Sequence, residues 1–277
     1  MRPRSVRRST LLAMLGDGIP NETISRGAIV RSVVPDACGL RVSLKDGATV
    51  HGRLVVGADG VHSIVRREVF GSAADTNQAI IARASWRFMA PNPGVRCWTV
   101  WTDAAGMVLL MPTSDTEVYG WAALTAPAQR DKGLEGLLDM AANLPCRARD
   151  TVLSAVFSPD TLYHSPLEDV HLPSWHSGGV VLIGDAAHAT APVWAQGAAL
   201  GMEDAISLGS LLSSSRAIPA ALADFEAQRR PRVAHVQRMT DKISRAARLP
   251  PFLRNMLLPF VGPSSYRQTY GPLRCPA

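Results

Sequence analysis

The stretch that decides the fold is Val180–Ala205, VVLIGDAAHATAPVWAQGAALGMEDA. Its first residues, Val180–Ile183, form a short apolar run that predicts a buried strand. The strand ends at Gly184-Asp185, so a carboxylate follows the carboxyl end of a buried strand, where open α/β sheets bind their ligands. A helix rich in small and apolar residues is predicted over 196–212. The free N–H groups at the start of such a helix favour a negative charge or a polarised carbonyl group.

A second stretch, GADGVHSIVR at Gly57–Arg66, repeats this pattern earlier in the chain. The apolar residues before it predict a buried strand, and the turn places Asp59 next to Gly60. Glycine permits dihedral angles that other residues rarely adopt, and it lets a ligand approach the backbone. Ser63 is predicted to cap the helix that follows. The residues alone leave two interpretations open, a ligand-binding carboxylate or a carboxylate that caps the turn locally.

The residues between the two stretches have a different pattern. Four of the six tryptophans fall in 72–160, on short alternating segments that proline and glycine separate. Such alternation is typical of an antiparallel sheet with one solvent-exposed face. One helix is predicted within it, at Leu134–Leu144. The large aromatic residues of this region are either ordinary core or the lining of a substrate pocket: Trp86, Phe88, Trp98, Trp101 and Trp121.

These patterns predict an α/β fold with two domains. One domain comprises residues 1–71 and 161–248, with a small antiparallel meander at 27–54, and the other, 72–160, is inserted into it. Apolar residues after Pro219 fall at helical intervals except for a gap at Arg229–Pro231, where Pro231 is expected to kink or split the helix. The proline-rich residues 249–277 predict an extended C-terminal tail.

Composition excludes several classes of function. The 29 Lys and Arg residues against 23 Asp and Glu give a net charge of +6, but the basic residues are scattered, so nucleic acid is not an expected partner. The four cysteines form no C-x-x-C pair, which predicts free thiols and no metal site. No apolar run reaches the roughly 18 residues of a membrane span. We therefore expect a soluble cytoplasmic protein without a stable membrane anchor.

The two glycine–aspartate stretches resemble the second and third flavin-binding motifs of the FAD-dependent aromatic hydroxylases. These are single-component monooxygenases with the para-hydroxybenzoate hydroxylase fold. The triplet Ala195-Gln196-Gly197, in place of the commoner Gly-Gln-Gly, is similar to the salicylate-hydroxylase-like branch. The residues that begin at Arg8, RSTL, resemble the R-x-x-L helix start of the family. The resemblance covers about Val6 to Arg245.

The resemblance implies a set of cofactor-binding residues: Arg8, Asp59, Gly60, Gly184, Asp185, Gln196, Gly197 and Ala198. By this resemblance, Arg8 contacts the FAD chain near its isoalloxazine and ribityl end. Asp59 lies near the pyrophosphate–ribityl region and is linked to both FAD and NAD(P)H binding. Asp185 accepts a hydrogen bond from a ribityl hydroxyl. The helix start at Gln196 turns its backbone N–H groups toward the pyrimidine edge of the flavin, where reduced flavin carries negative charge.

The resemblance also implies the reaction. FAD is the cofactor and NAD(P)H the co-substrate, and one oxygen atom of O2 is transferred to a small aromatic or secondary-metabolite substrate. The inserted sheet would be the substrate domain. Because the cofactor performs the difficult chemistry, the absence of an obvious protein nucleophile or base is expected, and we assign no catalytic side chain.

One feature of the family is missing from the sequence. The strand–G-x-G-x-x-G–helix unit that holds the ADP half of FAD is not found. The predicted FAD-binding domain is therefore a truncated, Rossmann-like one. Three explanations stay open at this point: a fragment of a longer enzyme, a non-catalytic remnant that acts as a binding or regulatory subunit, and a chain completed by a partner chain that supplies the missing unit.

Overall fold

The computed structural model describes residues 6–37, 39–71, 76–126, 129, 132–158, 162–214 and 217–274. They form two compact units, each with its own hydrophobic core. The first, here called the sheet unit, consists of the described residues within Met1–Ser25, Ile81–Leu167 and Ala247–Leu253. The second contains both glycine–aspartate stretches and is called the motif unit; it consists of the described residues within Arg26–Ile80, Glu168–Ala246 and Arg254–Ala277.

The elements follow one another as in a mixed α/β protein. The helices are α1 (Arg8–Gly16), α2 (Ile64–Phe70), α3 (Gly133–Ala142), α4 (Cys146–Val156), α5 (Asp185–His188), α6 (Gly197–Ser213), α7 (Ile218–Ala247) and α8 (Pro251–Tyr270). The strands are β1 (Val30–Asp36), β2 (Gly39–Leu44), β3 (Thr49–Gly52), β4 (Val55–Gly57), β5 (Asn77–Gln78), β6 (Ala84–Pro91), β7 (Thr99–Thr102), β8 (Gly106–Pro112), β9 (Glu117–Leu124), β10 (Tyr163–Pro166), β11 (Glu168–Asp169), β12 (His176–Ser177) and β13 (Val180–Leu182). Within the described ranges, no helix combines the length and the apolar character needed to cross a membrane.

The motif unit is organised around a parallel pair of strands. β4 and β13 lie side by side, with Val55 opposite Val180 and Gly57 opposite Leu182. β12 pairs antiparallel with the other side of β13. The Ile183 N–H donates to the Gly57 carbonyl at 3.0 Å, which extends the contact to the ends of both strands. Because parallel strands end at the same edge of a sheet, the two glycine–aspartate turns follow neighbouring strand ends.

The core of the motif unit surrounds this pair of strands. All three residues of β13 are buried, and α2, α6 and α7 contribute Val65, Leu200 and Phe225 to the same cluster. The antiparallel meander predicted for residues 27–54 is confirmed, because β1, β2 and β3 pair in that order. The predicted strand at Val180–Ile183 and the predicted helix over 196–212 are likewise confirmed as β13 and α6.

The sheet unit is an antiparallel sheet with helices on one face. Its strands pair in the order β10-β6-β9-β8-β7. Trp86 and Phe88 are buried in a cluster with residues of α3 and α4, so the core interpretation holds for these two aromatic residues. Trp121 is also buried, whereas Trp98 is 41% exposed. Alternating residues of β6 therefore face the helices, as expected for a half-buried strand.

The two compact units divide the chain differently from the two predicted domains. Residues 6–25 were placed with 26–71, but they belong to the sheet unit, where the Arg7 guanidinium donates to the Glu117 carboxylate at 2.5 Å. The single helix predicted at Leu134–Leu144 is followed by a second one, α4, which the sequence analysis missed. Pro145 lies between the two helices at the N-cap of α4, a place where proline does not disturb a helix.

The predicted extended tail over residues 249–277 is wrong. Most of it is the helix α8, and Pro251 occupies the first helical position, where a missing N–H removes no hydrogen bond. Tertiary contacts stabilise this helix despite its prolines. The Thr269 side chain is fully buried, and the His235 ring bonds to the Thr269 carbonyl at 3.1 Å.

Pro231 was expected to kink or split the preceding helix; the split is wrong, and the kink stays a prediction. α7 runs through Pro231 over 30 residues. Phe225 and Val233, on either side of the proline, are buried in one core, and this burial keeps the two halves in one helix.

Gly57 provides a test of the parallel strand pair. A Cβ at this position would lie 2.6 Å from Leu182 Cδ2 and 3.0 Å from Val65 Cβ. Gly57→Ala should therefore lower the free energy of unfolding by roughly 1–3 kcal/mol, as overpacking of a core does. Gly209→Ala, in α6, meets nothing within 4 Å and should raise it by about 0.5–1 kcal/mol. Urea denaturation measures the free energy of unfolding of each variant. Equal changes in the two variants would contradict the close packing at Gly57.

Candidate functional site

The turn after β13 presents one carboxylate to solvent. Gly184 has φ 57° and ψ −141°, a backbone conformation that favours glycine, and Asp185 is the first residue of α5. The Asp185 side chain is exposed, and no described residue donates a hydrogen bond to its carboxylate. A carboxylate at this position is an acceptor for a hydroxyl group of a ligand.

The start of α6 lies against this carboxylate. A Cβ added at Gly197 would be 3.6 Å from Asp185 Oδ1. The first bond of the helix runs from the Leu200 N–H to the Gln196 carbonyl at 2.9 Å. The N–H groups of Gly197 and Ala198 precede that bond and have no acceptor in the described part of the chain. The structure thus brings the predicted residues Asp185, Gln196, Gly197 and Ala198 together. The Asp185 carboxylate is a hydrogen-bond acceptor, and the N–H groups of Gly197 and Ala198 beside it are donors.

The loop that leads into α6 contains a residue in a strained conformation. Ala195 has φ 51° and ψ 36°, the left-handed region that disfavours residues with a Cβ. The Trp194 carbonyl before it accepts a hydrogen bond from the Tyr270 hydroxyl at 2.7 Å and one from Gln196 Nε2 at 3.3 Å. The C-terminal helix therefore holds this loop, a role that sequence reasoning missed because it treated the C-terminus as an extended tail.

Asp59, in the other turn, is used within the protein. Its Oδ1 accepts from the Ser63 hydroxyl at 2.5 Å, and its Oδ2 accepts from the N–H groups of Ile64 and Val65 at 2.7 and 3.1 Å. Ser63 is the N-cap of α2, as predicted. The geometry thus supports the local-capping interpretation of Asp59. A role of Asp59 and of the neighbouring Gly60, which has φ 80°, in cofactor binding stays a prediction.

Arg66 connects the two turns. Its side chain is 2% exposed, Nη1 donates to the Ala186 carbonyl at 2.9 Å, and Nη2 donates to the Val61 carbonyl at 2.5 Å. The sequence placed Arg66 on α2 without a role. In the sequence, the position of Arg66 on the helix, three residues after the Ser63 cap, was the one indication that its side chain lies near this turn.

A buried ion-pair network lies behind the Asp185 turn. Asp204 Oδ2 accepts from the Gly184 N–H at 2.9 Å and contacts His188 Nε2 at 2.6 Å, while Arg229 Nε donates to Oδ1 at 2.8 Å. Asp204 and Arg229 are fully buried, and His188 is 3% exposed. Arg229 Nη2 continues the network to Glu203 at 2.8 Å. His188 therefore has a structural role here.

Two buried carboxyl groups near the turn have opposite shifts of pKa. Burial alone would raise the pKa of Asp204, but the bonds from His188, Arg229 and the Gly184 amide outweigh it and hold the pKa below its usual value. The ionised Asp204 consequently stabilises the fold above about pH 4, and this contribution is lost as the pH falls through the lowered pKa. For Asp169 burial dominates and raises the pKa, although the Ala191 N–H donates to its Oδ1 at 2.8 Å.

Arg8 is the remaining predicted site residue. It begins α1 in the sheet unit, and its side chain is exposed. Its contact with a cofactor stays a prediction.

Sequence and fold match known flavin-dependent proteins. A family model described as "FAD binding domain" matches residues 22–240. The chain is 29% identical over 279 residues to the 2-heptyl-3-hydroxy-4(1H)-quinolone synthase of Pseudomonas aeruginosa. This match covers 96% of this chain and 72% of that protein. It is 31% identical over 240 residues to the FAD-dependent urate hydroxylase of Klebsiella pneumoniae, covering 84% of this chain and 62% of that protein.

A solved structure agrees with the sequence matches. The crystal structure of Klebsiella pneumoniae HpxO complexed with FAD and uric acid matches with a TM-score of 0.77 and 26% identity, over 91% of this chain and 66% of that one. In these three comparisons the chain spans between 62% and 72% of the length of the matched protein.

Ala195 provides a test of the loop geometry. Ala195→Gly should raise the free energy of unfolding by about 1 kcal/mol, because glycine adopts the left-handed conformation without steric cost. Ala205→Gly, at an exposed position inside α6, should lower it by about 0.5–1 kcal/mol. Thermal denaturation of both variants measures whether their stabilities change in opposite directions. A loss of stability for Ala195→Gly would argue against the left-handed conformation.

Proposed function

Because the chain belongs to the family of FAD-dependent aromatic monooxygenases, we propose that it binds FAD and uses NAD(P)H and O2 to hydroxylate or otherwise oxygenate a small aromatic or secondary-metabolite substrate. The observation that carries this proposal is the exposed Asp185 carboxylate next to the N–H groups at the start of α6.

The residues of this site fit the flavin half of FAD. The ribityl chain offers hydroxyl donors, and Asp185 is an acceptor that no described residue occupies. The pyrimidine edge of the flavin offers carbonyl acceptors, and the first turn of α6 offers N–H donors with the positive end of a helix dipole. Gly184 and Gly201 let the turn approach α6 closely, since a Cβ at Gly184 would lie 3.6 Å from Gly201 Cα. The donor set and the acceptor set are therefore complementary to the cofactor.

The protein would contribute position and charge. When bound, FAD supplies two-electron oxidation of NAD(P)H and activation of O2. Asp185 would fix the ribityl chain through a hydroxyl hydrogen bond. The N–H groups of Gly197 and Ala198 would stabilise negative charge on the pyrimidine side.

The sheet unit carries groups suited to a substrate with oxygen acceptors. Arg87 and Trp121 are directly opposite each other on β6 and β9, and Ser85 lies two residues from Arg87 on the same face. Ser85 Oγ, Arg87 Nε and Trp121 Nε1 are buried and have no hydrogen-bond partner in the described part of the chain. Together with the names of the relatives, a quinolone synthase and a urate hydroxylase, these donors support an oxygen-bearing heteroaromatic substrate.

A second candidate function is a non-catalytic binding or regulatory subunit. The observation that favours it is an open edge in the sheet of the motif unit. β4 is an outer strand of its sheet among the described residues, so a partner chain that supplies a nucleotide-binding strand would find an open edge there. The two functions differ in whether this chain alone retains FAD.

Retention of FAD tests the proposed function directly. The purified chain, incubated with FAD and desalted, should keep the visible absorbance of flavin at close to one flavin per chain. It should then oxidise NAD(P)H faster when heteroaromatic compounds are added. A colourless chain would argue against an oxygenase that works alone and for the second candidate.

Asp185→Ala tests the assignment of the site. Loss of a charged hydrogen-bond acceptor should raise the dissociation constant for FAD by roughly 10- to 100-fold. Asp150→Ala removes an equal charge from an exposed position of α4 in the sheet unit and should leave the affinity unchanged. Fluorescence titration with FAD measures both variants, and equal affinities would remove Asp185 from the site.

A further inference from the structure

The Asp204 carboxylate holds both ends of the segment that carries Asp185. Its Oδ2 accepts from the N–H of Gly184, the residue before Asp185, at 2.9 Å. The same oxygen contacts Nε2 of His188, the last residue of α5, at 2.6 Å. The backbone of Asp185 is therefore fixed on both sides by one buried atom.

Asp204 also ties this segment to the start of α6. It lies on α6 itself, seven residues after Gly197, and is fully buried. The backbones approach closely at Gly184 and Gly201, since a Cβ at Gly184 would be 3.6 Å from Gly201 Cα. Alongside the bond from Arg66 of α2 to the Ala186 carbonyl, these contacts to α6 set the position of the Asp185 carboxylate relative to the N–H groups of that helix.

Arg229 holds the carboxylate in place. Its Nε donates to Asp204 Oδ1 at 2.8 Å, and its Nη2 donates to the Leu200 carbonyl at 3.3 Å and to Glu203 at 2.8 Å. Arg232 in turn donates to Glu203 and to the Leu273 carbonyl. α7 and the C-terminal residues therefore support the turn through this chain of charged groups.

We infer that Asp204, held by Arg229, is the positioning residue of the flavin site. It sets the distance between the Asp185 carboxylate and the first turn of α6, and through that distance the affinity for FAD. This inference rests on the proposed FAD binding. Asp204 itself is buried behind the turn and touches neither the cofactor side of Asp185 nor solvent.

Glu226 provides a matched control. It lies on α7, its Oε2 accepts from the Trp175 N–H at 2.8 Å, and its Oε1 accepts from Arg230 Nε at 3.0 Å. It therefore resembles Asp204 in binding one backbone N–H and one arginine. The two residues differ in place, because Trp175 precedes β12 whereas Gly184 follows β13, and in burial, because the Glu226 side chain is 13% exposed and that of Asp204 is fully buried.

The experiment compares Asp204→Asn with Glu226→Gln in the full chain. Asp204→Asn should raise the dissociation constant for FAD at least tenfold, and Glu226→Gln should leave it within twofold of the wild type at a temperature where both variants are folded. Hydrogen exchange of the FAD-free proteins gives a second readout. Exchange should become faster at residues 183–189 in Asp204→Asn, and at 174–176 in Glu226→Gln.

Each outcome decides the inference. Equal FAD affinities of the two variants, or exchange that rises evenly over the motif unit in Asp204→Asn, would reduce Asp204 to a stabilising residue and overturn it. If Asp204→Asn does not fold, Glu203→Gln removes the negative charge of the outer partner of Arg229. This variant should give a smaller loss of affinity with faster exchange at 183–189, and no change in either measurement would also overturn the inference. A wild-type chain that binds no FAD would refute the proposed function, and the local exchange at 183–189 would then decide the positioning role by itself.

Discussion

The parallel pairing of β4 with β13 is the interaction on which the rest of the motif unit depends. The two strands are more than a hundred residues apart in the chain, yet Val55 lies opposite Val180 and Gly57 opposite Leu182. The pairing requires a small residue at Gly57, because Leu182 and Val65 fill the space beside it. Once it forms, both glycine–aspartate turns lie at one edge, and Arg66 can reach from α2 to the Ala186 carbonyl.

The carboxylates near that edge have different tasks because they have different partners. Asp59 caps α2, and Asp204 is buried between a histidine, an arginine and a backbone amide. Both carboxylates accept hydrogen bonds from within the protein, and for the buried Asp204 these bonds offset the cost of desolvation. Asp185 alone among these three is exposed without a donor from a described residue. The protein thus keeps one acceptor available by satisfying the others internally.

Much of this arrangement could be predicted from local sequence. The apolar runs, the glycines and the Ser63 cap predicted strands, turns and helix starts correctly, since these depend on nearest neighbours. The buried arginine had a weak signal. Arg229 falls four residues from Phe225 and from Val233, so it lies within the apolar stripe of α7. A charged residue that interrupts an apolar stripe indicates a charge on the buried face of the helix. The helix α8 had none, because its prolines favour an extended chain unless tertiary contacts outweigh them.

The sequence by itself determined the order of elements, the α/β class, the flavin-type motifs and the candidates for the cofactor site. Only the tertiary structure decided which candidate carboxylate is available to a ligand and which one has a structural role. It also decided which residues support the loop before α6. The reason is physical. The partners that make these decisions are distant in the chain: Arg229 lies 25 residues from Asp204, and Tyr270 lies 76 residues from Trp194. Hydrogen bonds over such separations leave at most a weak local pattern, because any polar residue of suitable length can serve once the fold brings it near.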